Sequence, residues 1–117
     1  MLNFPRTVRL TTKREFQQAF QQPCKVSNHY LLALFKPNQR SYPKLGMKIG
    51  KHLIKRAVDR NQLKRIIRES FRHHQEVLKG LDIVVLIRSK CRPLEKKIWR
   101  NDIDALWQVL LNSLKTV

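Results

Sequence analysis

One segment constrains this chain more than any other: DRNQLKRIIRESFR, residues 59 to 72. At about 100° per residue, Leu63, Ile66, Ile67 and Phe71 fall within an arc of roughly 140°. Arg60, Asn61, Lys64, Arg65, Arg68 and Arg72 fill an adjoining arc of similar width. Such a helix has to bury one face in a core and leave the other outside. Arg60, Lys64 and Arg68 stack like charges four residues apart, which is locally unfavourable, and Glu69 is the only acid between Arg60 and Arg72. Arginine forks two hydrogen bonds onto phosphate and stacks on bases. The segment therefore points to a polyanion, with RNA and DNA both open.

The whole chain has the same bias. Twenty-five Lys and Arg against eight Asp and Glu give a net charge of +17 over 117 residues. Unrelieved, that charge repels itself. The apolar content of 42% suits one ordinary globular domain, 1–117, and not a disordered tail. The clusters LLALF and IVVLI are too short to span a bilayer. MLNFPRTVRL lacks the apolar core of a signal peptide. No membrane partner and a cytoplasmic location are the expectation. Cys24 and Cys91 show no metal-ligand or redox spacing and read as buried or free thiols.

Residues 1–10, basic and containing Pro5, read as an extended arm. TTKREFQQAFQQ, 11–22, reads as a helix capped by Thr11 or Thr12, with Glu15 completing a capping box and Pro23 ending it. Its Phe16 and Phe20 share a face. HYLLALFK, 29–36, reads as a strand, 36–44 as a loop, and KLGMKIGK, 44–51, as a half-buried strand with Leu45, Met47 and Ile49 inward. The two strands are expected to form a hairpin. Helical periodicity runs from Ile54 to Leu78, and Gly80 is placed to stop it. DIVVLIR, 82–88, is a buried strand. After a turn at Arg92 and Pro93, Ile98, Ile103, Leu106, Trp107, Leu110, Leu111 and Leu114 return at helical spacing. The fold class is α+β, a small sheet packed with helices.

Catalysis by the polypeptide is not expected. A two-metal nuclease needs carboxylates converging on ions about 4 Å apart. Asp102 and Asp104, two apart on a helix, diverge. His73 and His74 diverge by about 100° and read as solvated residues at a helix end. His29 and His52 show no ligand spacing with the cysteines. No catalytic and no protein-bound metal residues are assigned.

RAVDRNQLKRIIRESFR resembles the signature of the bacterial ribonuclease P protein family, RNxxKRxxRExFR. Arg60, Asn61, Lys64, Arg65, Arg68, Glu69, Phe71 and Arg72 match it position by position. FPRTVRLTTKREFQQAF, LGMKIGK, DIVVLIR and the Trp-containing last helix are similar to the family's other elements. The resemblance implies a mixed sheet of about four strands with a left-handed βαβ crossover, where the general rule favours a right-handed one. It implies a cofactor of a catalytic RNA subunit that removes the 5′ leader from precursor tRNA with Mg2+ held mainly by RNA.

By the same resemblance, Arg60, Asn61, Lys64, Arg65, Arg68, Arg72 and Lys51 contact the RNA subunit. Lys51 and His52 stand where the family often has two lysines. Phe16, Phe20, Lys48 and an aromatic of the first strand, Tyr30 or Phe35, line a cleft for the leader. Stacking surfaces and backbone charge suit a single strand of variable sequence, although Phe16 and Phe20 could equally pin their helix to the core. The alternatives are a small ribosomal or other structural RNA-binding protein, and a regulator that reads duplex DNA with the basic helix. The resemblance makes DNA an unexpected partner.

Overall fold

The computed structural model describes residues 24–88 and 95–115. The expected arm, the helix with Phe16 and Phe20, and Cys91 lie outside the described residues. The elements run β1 (Cys24–Ser27), β2 (Leu31–Pro37), β3 (Lys44–Lys48), α1 (Ala57–His73), a single turn α2 (Gln75–Leu78), β4 (Leu81–Ile87) and α3 (Lys96–Lys115). The α+β class is as expected.

The strands form one sheet in the order β1-β2-β4-β3. β4 pairs antiparallel with β2 and parallel with β3. The expected hairpin between residues 29–36 and 44–51 is therefore corrected: β4 lies between those strands. The reason is composition. β4 is buried at Leu81, Ile83, Val84, Val85 and Ile87, so both its faces need cover, and the central position supplies it. β3 and β4 are then joined through α1 as a parallel β–α–β unit. β1 was not legible in the sequence. It is a four-residue edge strand, largely exposed and without apolar alternation.

Strand register divides the residues between two faces. Phe35, Ile83 and Leu45 stand in one row, and Ala33, Val85 and Met47 in the next. This face packs on Leu63, Ile66, Ile67 and Phe71 of α1 and on Trp99, Ile103, Leu106, Trp107 and Leu110 of α3. Phe71 and Trp107 meet edge to face with ring centroids 6.2 Å apart. The helix expected over residues 54–78 is shorter at its start and breaks at His74. Gly80, at φ +84°, closes it in the left-handed conformation that glycine adopts readily. On α3, Ile98 and Leu114 are exposed and not part of the core, contrary to expectation. Trp99, at the same turn as Ile98, is buried in its place.

Polar ties also hold α3 to the rest. Trp107 Nε1 donates to Ser70 Oγ at 2.8 Å, and Ser70 Oγ donates to Asp104 Oδ1 at 2.5 Å. Asp102, 5% exposed, accepts the Tyr30 backbone N–H through Oδ2 at 3.2 Å. Burial holds the Asp102 carboxyl above its ordinary range, against the opposing pull of the Tyr30 N–H and of His29. Asp102 and Asp104 thus point to different elements, as their spacing requires.

Candidate nucleic-acid interface

α1 supplies the first surface. Leu63, Ile66, Ile67, Ser70 and Phe71 are buried. On the remaining face Asn61 and Arg65 are exposed, and Arg60, Lys64, Arg68 and Arg72 are half-buried. A long cationic side chain can be half-buried in this way when its stem packs on neighbouring surface. Lys51, in the loop before the helix, is exposed, as are His52, Lys55 and Arg56. Lys51 thus stands exposed in the loop that leads into the helix carrying the signature residues.

Arg60 departs from the simple picture of a phosphate contact. Its Nη1 donates to the backbone carbonyls of Ile54 at 2.9 Å and Lys55 at 2.8 Å. Arg72 has a buried Nε with no hydrogen-bond partner.

The second surface is the other face of the sheet. Register places Lys25, Leu34, Val84 and Gly46 in one row. Ser27, Leu32, Leu86 and Lys48 form the row on one side of it, and Lys36, Asp82 and Lys44 the row on the other. Val84 is fully buried, with Leu34 and Leu86 partly buried around it. Asp82 stands between two lysines and accepts from Asn38 Nδ2 at 3.0 Å. Lys48 is exposed and its row carries no acid.

The structure places both strand aromatics expected at the leader cleft against the main core. Phe35 is 1% exposed and belongs to the main core. Alternation sends Leu31, Ala33 and Phe35 to the helical side and Leu32, Leu34 and Lys36 to the other. Leu34 is therefore the residue late in β2 that faces the second surface. It is aliphatic, where the resemblance implies an aromatic. Tyr30 lies before β2 and packs on Trp99 with ring centroids 5.8 Å apart. Its backbone is fixed by Asp102 and by Arg88 N, which donates to Tyr30 O at 2.9 Å. Its place is in the contact between α3 and the sheet. Lys48 is on the expected face.

The histidines are also revised. His73 is exposed, but His74 is half-buried, and its Nδ1 donates to Ser70 O at 2.7 Å. Both line a groove of about 210 Å³ between α1 and α3, with Glu69, Arg100 and Asp104. Among the described residues no three His, Cys, Asp or Glu side chains converge to hold a metal ion. Cys24 is a free, exposed thiol. No helix of the described residues is long and apolar enough to cross a membrane.

Comparison with known proteins places the chain in a family. The Ribonuclease P family model matches residues 4–111. The chain is 45% identical over 112 residues to a ribonuclease P protein component of Pseudomonas aeruginosa, covering 95% of this chain and 83% of that one. Among solved structures, the RNase P protein of Staphylococcus aureus superposes with a TM-score of 0.79 at 25% identity, over 88% of this chain and 94% of that chain. The RNase P protein of Thermotoga maritima superposes with a TM-score of 0.67 at 36% identity, over 93% and 96% of the two chains. With its sequence and its fold both matching, the chain belongs to the ribonuclease P protein family.

Proposed function

We propose that the chain is the protein cofactor of a ribonuclease P ribonucleoprotein, which removes the 5′ leader from precursor tRNA. The hydrolysis belongs to the RNA subunit, and the magnesium ions are assigned to the RNA. The polypeptide contributes binding. The observation that carries the reading is the division of α1 into a buried apolar face and an outer face of Asn61, Lys64, Arg65, Arg68 and Arg72. That outer face holds the RNA subunit through phosphate contacts, which offset part of the chain's net charge of +17.

The leader takes the second sheet face, with Lys48 as a backbone contact and Phe16 and Phe20 as stacking residues from the N-terminal segment. Leu34 and Leu86 give it an apolar floor. A floor of this kind tolerates any base, and binding of the leader broadens the range of precursors accepted. The reading includes the family's left-handed crossover from β3 through α1 to β4, and a cytoplasmic location.

The test is cleavage of a precursor tRNA by a bacterial ribonuclease P RNA at low magnesium, with and without the protein. Strong stimulation at the mature 5′ end, and no cleavage by the protein alone, is expected. A folded protein that gives no stimulation with a compatible RNA would transfer the reading to a ribosomal or other structural RNA partner.

A further inference from the structure

α1 starts with mixed charge: Asp59 in its first turn suits the positive end of the helix dipole, whereas two arginines near it do not. Arg56 at the N-cap makes no side-chain capping bond, and Arg60 adds a positive charge close to the positive end of the helix. Without compensation that placement is unfavourable. Asp59, 3.9 Å from Arg56 Nε, offsets part of it, and for Arg60 itself the partners are the carbonyls already described: its Nη1 donates to Ile54 O and Lys55 O. Hydrogen bonds from a charged donor are the stronger kind.

Those carbonyls end the loop between β3 and α1. The loop is tightly folded. Gly50 O accepts from Leu53 N at 3.1 Å and from Ile54 N at 3.2 Å. The His52 ring lies over Gly50, where an added Cβ would stand 2.8 Å from Cε1. Ile49 and Ile54 are buried in the core. Apolar anchors therefore fix the loop from below, and Arg60 ties its far end to the first turns of α1. What the loop carries outward is charge: Lys51, Lys55 and Arg56 are all exposed.

We propose that Arg60 is a positioning residue. It holds the loop 50–56 against α1 so that Lys51, Lys55 and Arg56 continue the basic face of the helix, and it acts on RNA chiefly through them. The inference rests on the reading of α1 as the RNA-subunit face, but the tie itself is a property of the free protein.

The experiment is a mutant cycle on the full chain. Affinity for ribonuclease P RNA is measured across a salt series for the wild type, R60A, the triple variant K51A/K55A/R56A, and the two combined. R65A, alone and in the triple background, is the control for a direct contact. Thermal unfolding without RNA accompanies each. R60A is expected to lower RNA affinity roughly ten-fold and to flatten the salt dependence by more than the single unit of one lost phosphate contact. In the triple background R60A should add less than about two-fold, whereas R65A should keep its full effect, because only coupled sites depart from additivity. R60A should also lower the melting temperature of the free protein by roughly 4 °C or more. R60K keeps the charge but not the guanidinium geometry. It is expected to follow R60A, and it carries the cycle if R60A fails to fold. Full additivity of the Arg60 substitution with the triple variant would overturn the proposal and make Arg60 a direct contact. So would an unchanged melting temperature with a salt slope lowered by one. If the triple variant and R65A leave RNA binding intact, the RNA-face reading fails instead. The tie is then judged by the melting temperature alone.

Discussion

Leu34 and Phe35 are neighbours with opposite duties, and the difference comes from strand alternation alone. Phe35 fills the core, so Phe35→Ala should cost about 3–5 kcal/mol of stability, seen as a lower denaturant midpoint. It should not separate precursor from mature tRNA once the protein is folded. Lys48→Ala should do the reverse, weakening precursor binding more than mature binding in a competition assay while leaving unfolding within about 0.5 kcal/mol. Arg65→Ala should reduce assembly with the RNA subunit and lower its salt slope by about one, again without loss of stability. Equal loss for both tRNAs on Lys48→Ala would remove that residue from the leader site. Asp102 offers a proton-linked test. Its carboxyl titrates above the ordinary range in the folded protein, so folding takes up a proton as pH falls through that range, and the residue favours the folded state more on the acid side than at neutrality. Asp102→Asn, measured by melting temperature against pH, should remove this acid-side gain. A difference between variant and wild type that is flat with pH would contradict it.

At the scale of elements, helices with strong apolar periodicity were legible and short or two-faced strands were not. The period of Leu63, Ile66, Ile67 and Phe71 located α1 and named its buried residues. Gly80 marked the stop. β4 was identified, but its neighbours were not, because a run apolar on both faces says only that it is central. β1 escaped notice because an exposed four-residue edge strand has no pattern to show. The basic surface was legible for the same reason as α1, since both follow from one helical wheel. The inward turn of Arg60 was not, because a charged side chain bonded to main-chain carbonyls leaves no trace in residue type. The Ser70 junction between α1 and α3 was equally hidden. Ser70→Ala leaves the Trp107 N–H buried without an acceptor and should cost about 1–3 kcal/mol, measurable by chemical denaturation. A neutral result there would mean that another group accepts the Trp107 N–H.

At the scale of the molecule, charge dominates. With +17 on 117 residues, self-repulsion opposes compaction until counter-ions or RNA screen it. The free protein should melt at a higher temperature as ionic strength rises over the range where the Debye length shortens from about 30 to 10 Å. RNA should stabilise it further, by an amount that shrinks as salt weakens binding. A melting temperature that falls with salt would indicate that attractive pairs outweigh the repulsion. Two ion pairs among the described residues, Arg56–Asp59 at 3.9 Å and Lys79–Glu76 at 3.6 Å, are long and local.

The central place of β4 also has a consequence in time. β2 and β3 each pair with β4 and not with each other, so a growing chain that has reached residue 80 owns only the β1–β2 pairing. An isolated pair of strands is marginal in water. α1 is therefore synthesised before the sheet that will cover its apolar face exists. During that interval its cations and its core residues are both open to the surroundings, in a cell where RNA is abundant. Closing the sheet then depends on contacts between segments distant along the chain, the slow kind to form. A ribosome paused after residue 80 should leave a protease-sensitive nascent chain, and one paused well past α3 a resistant one.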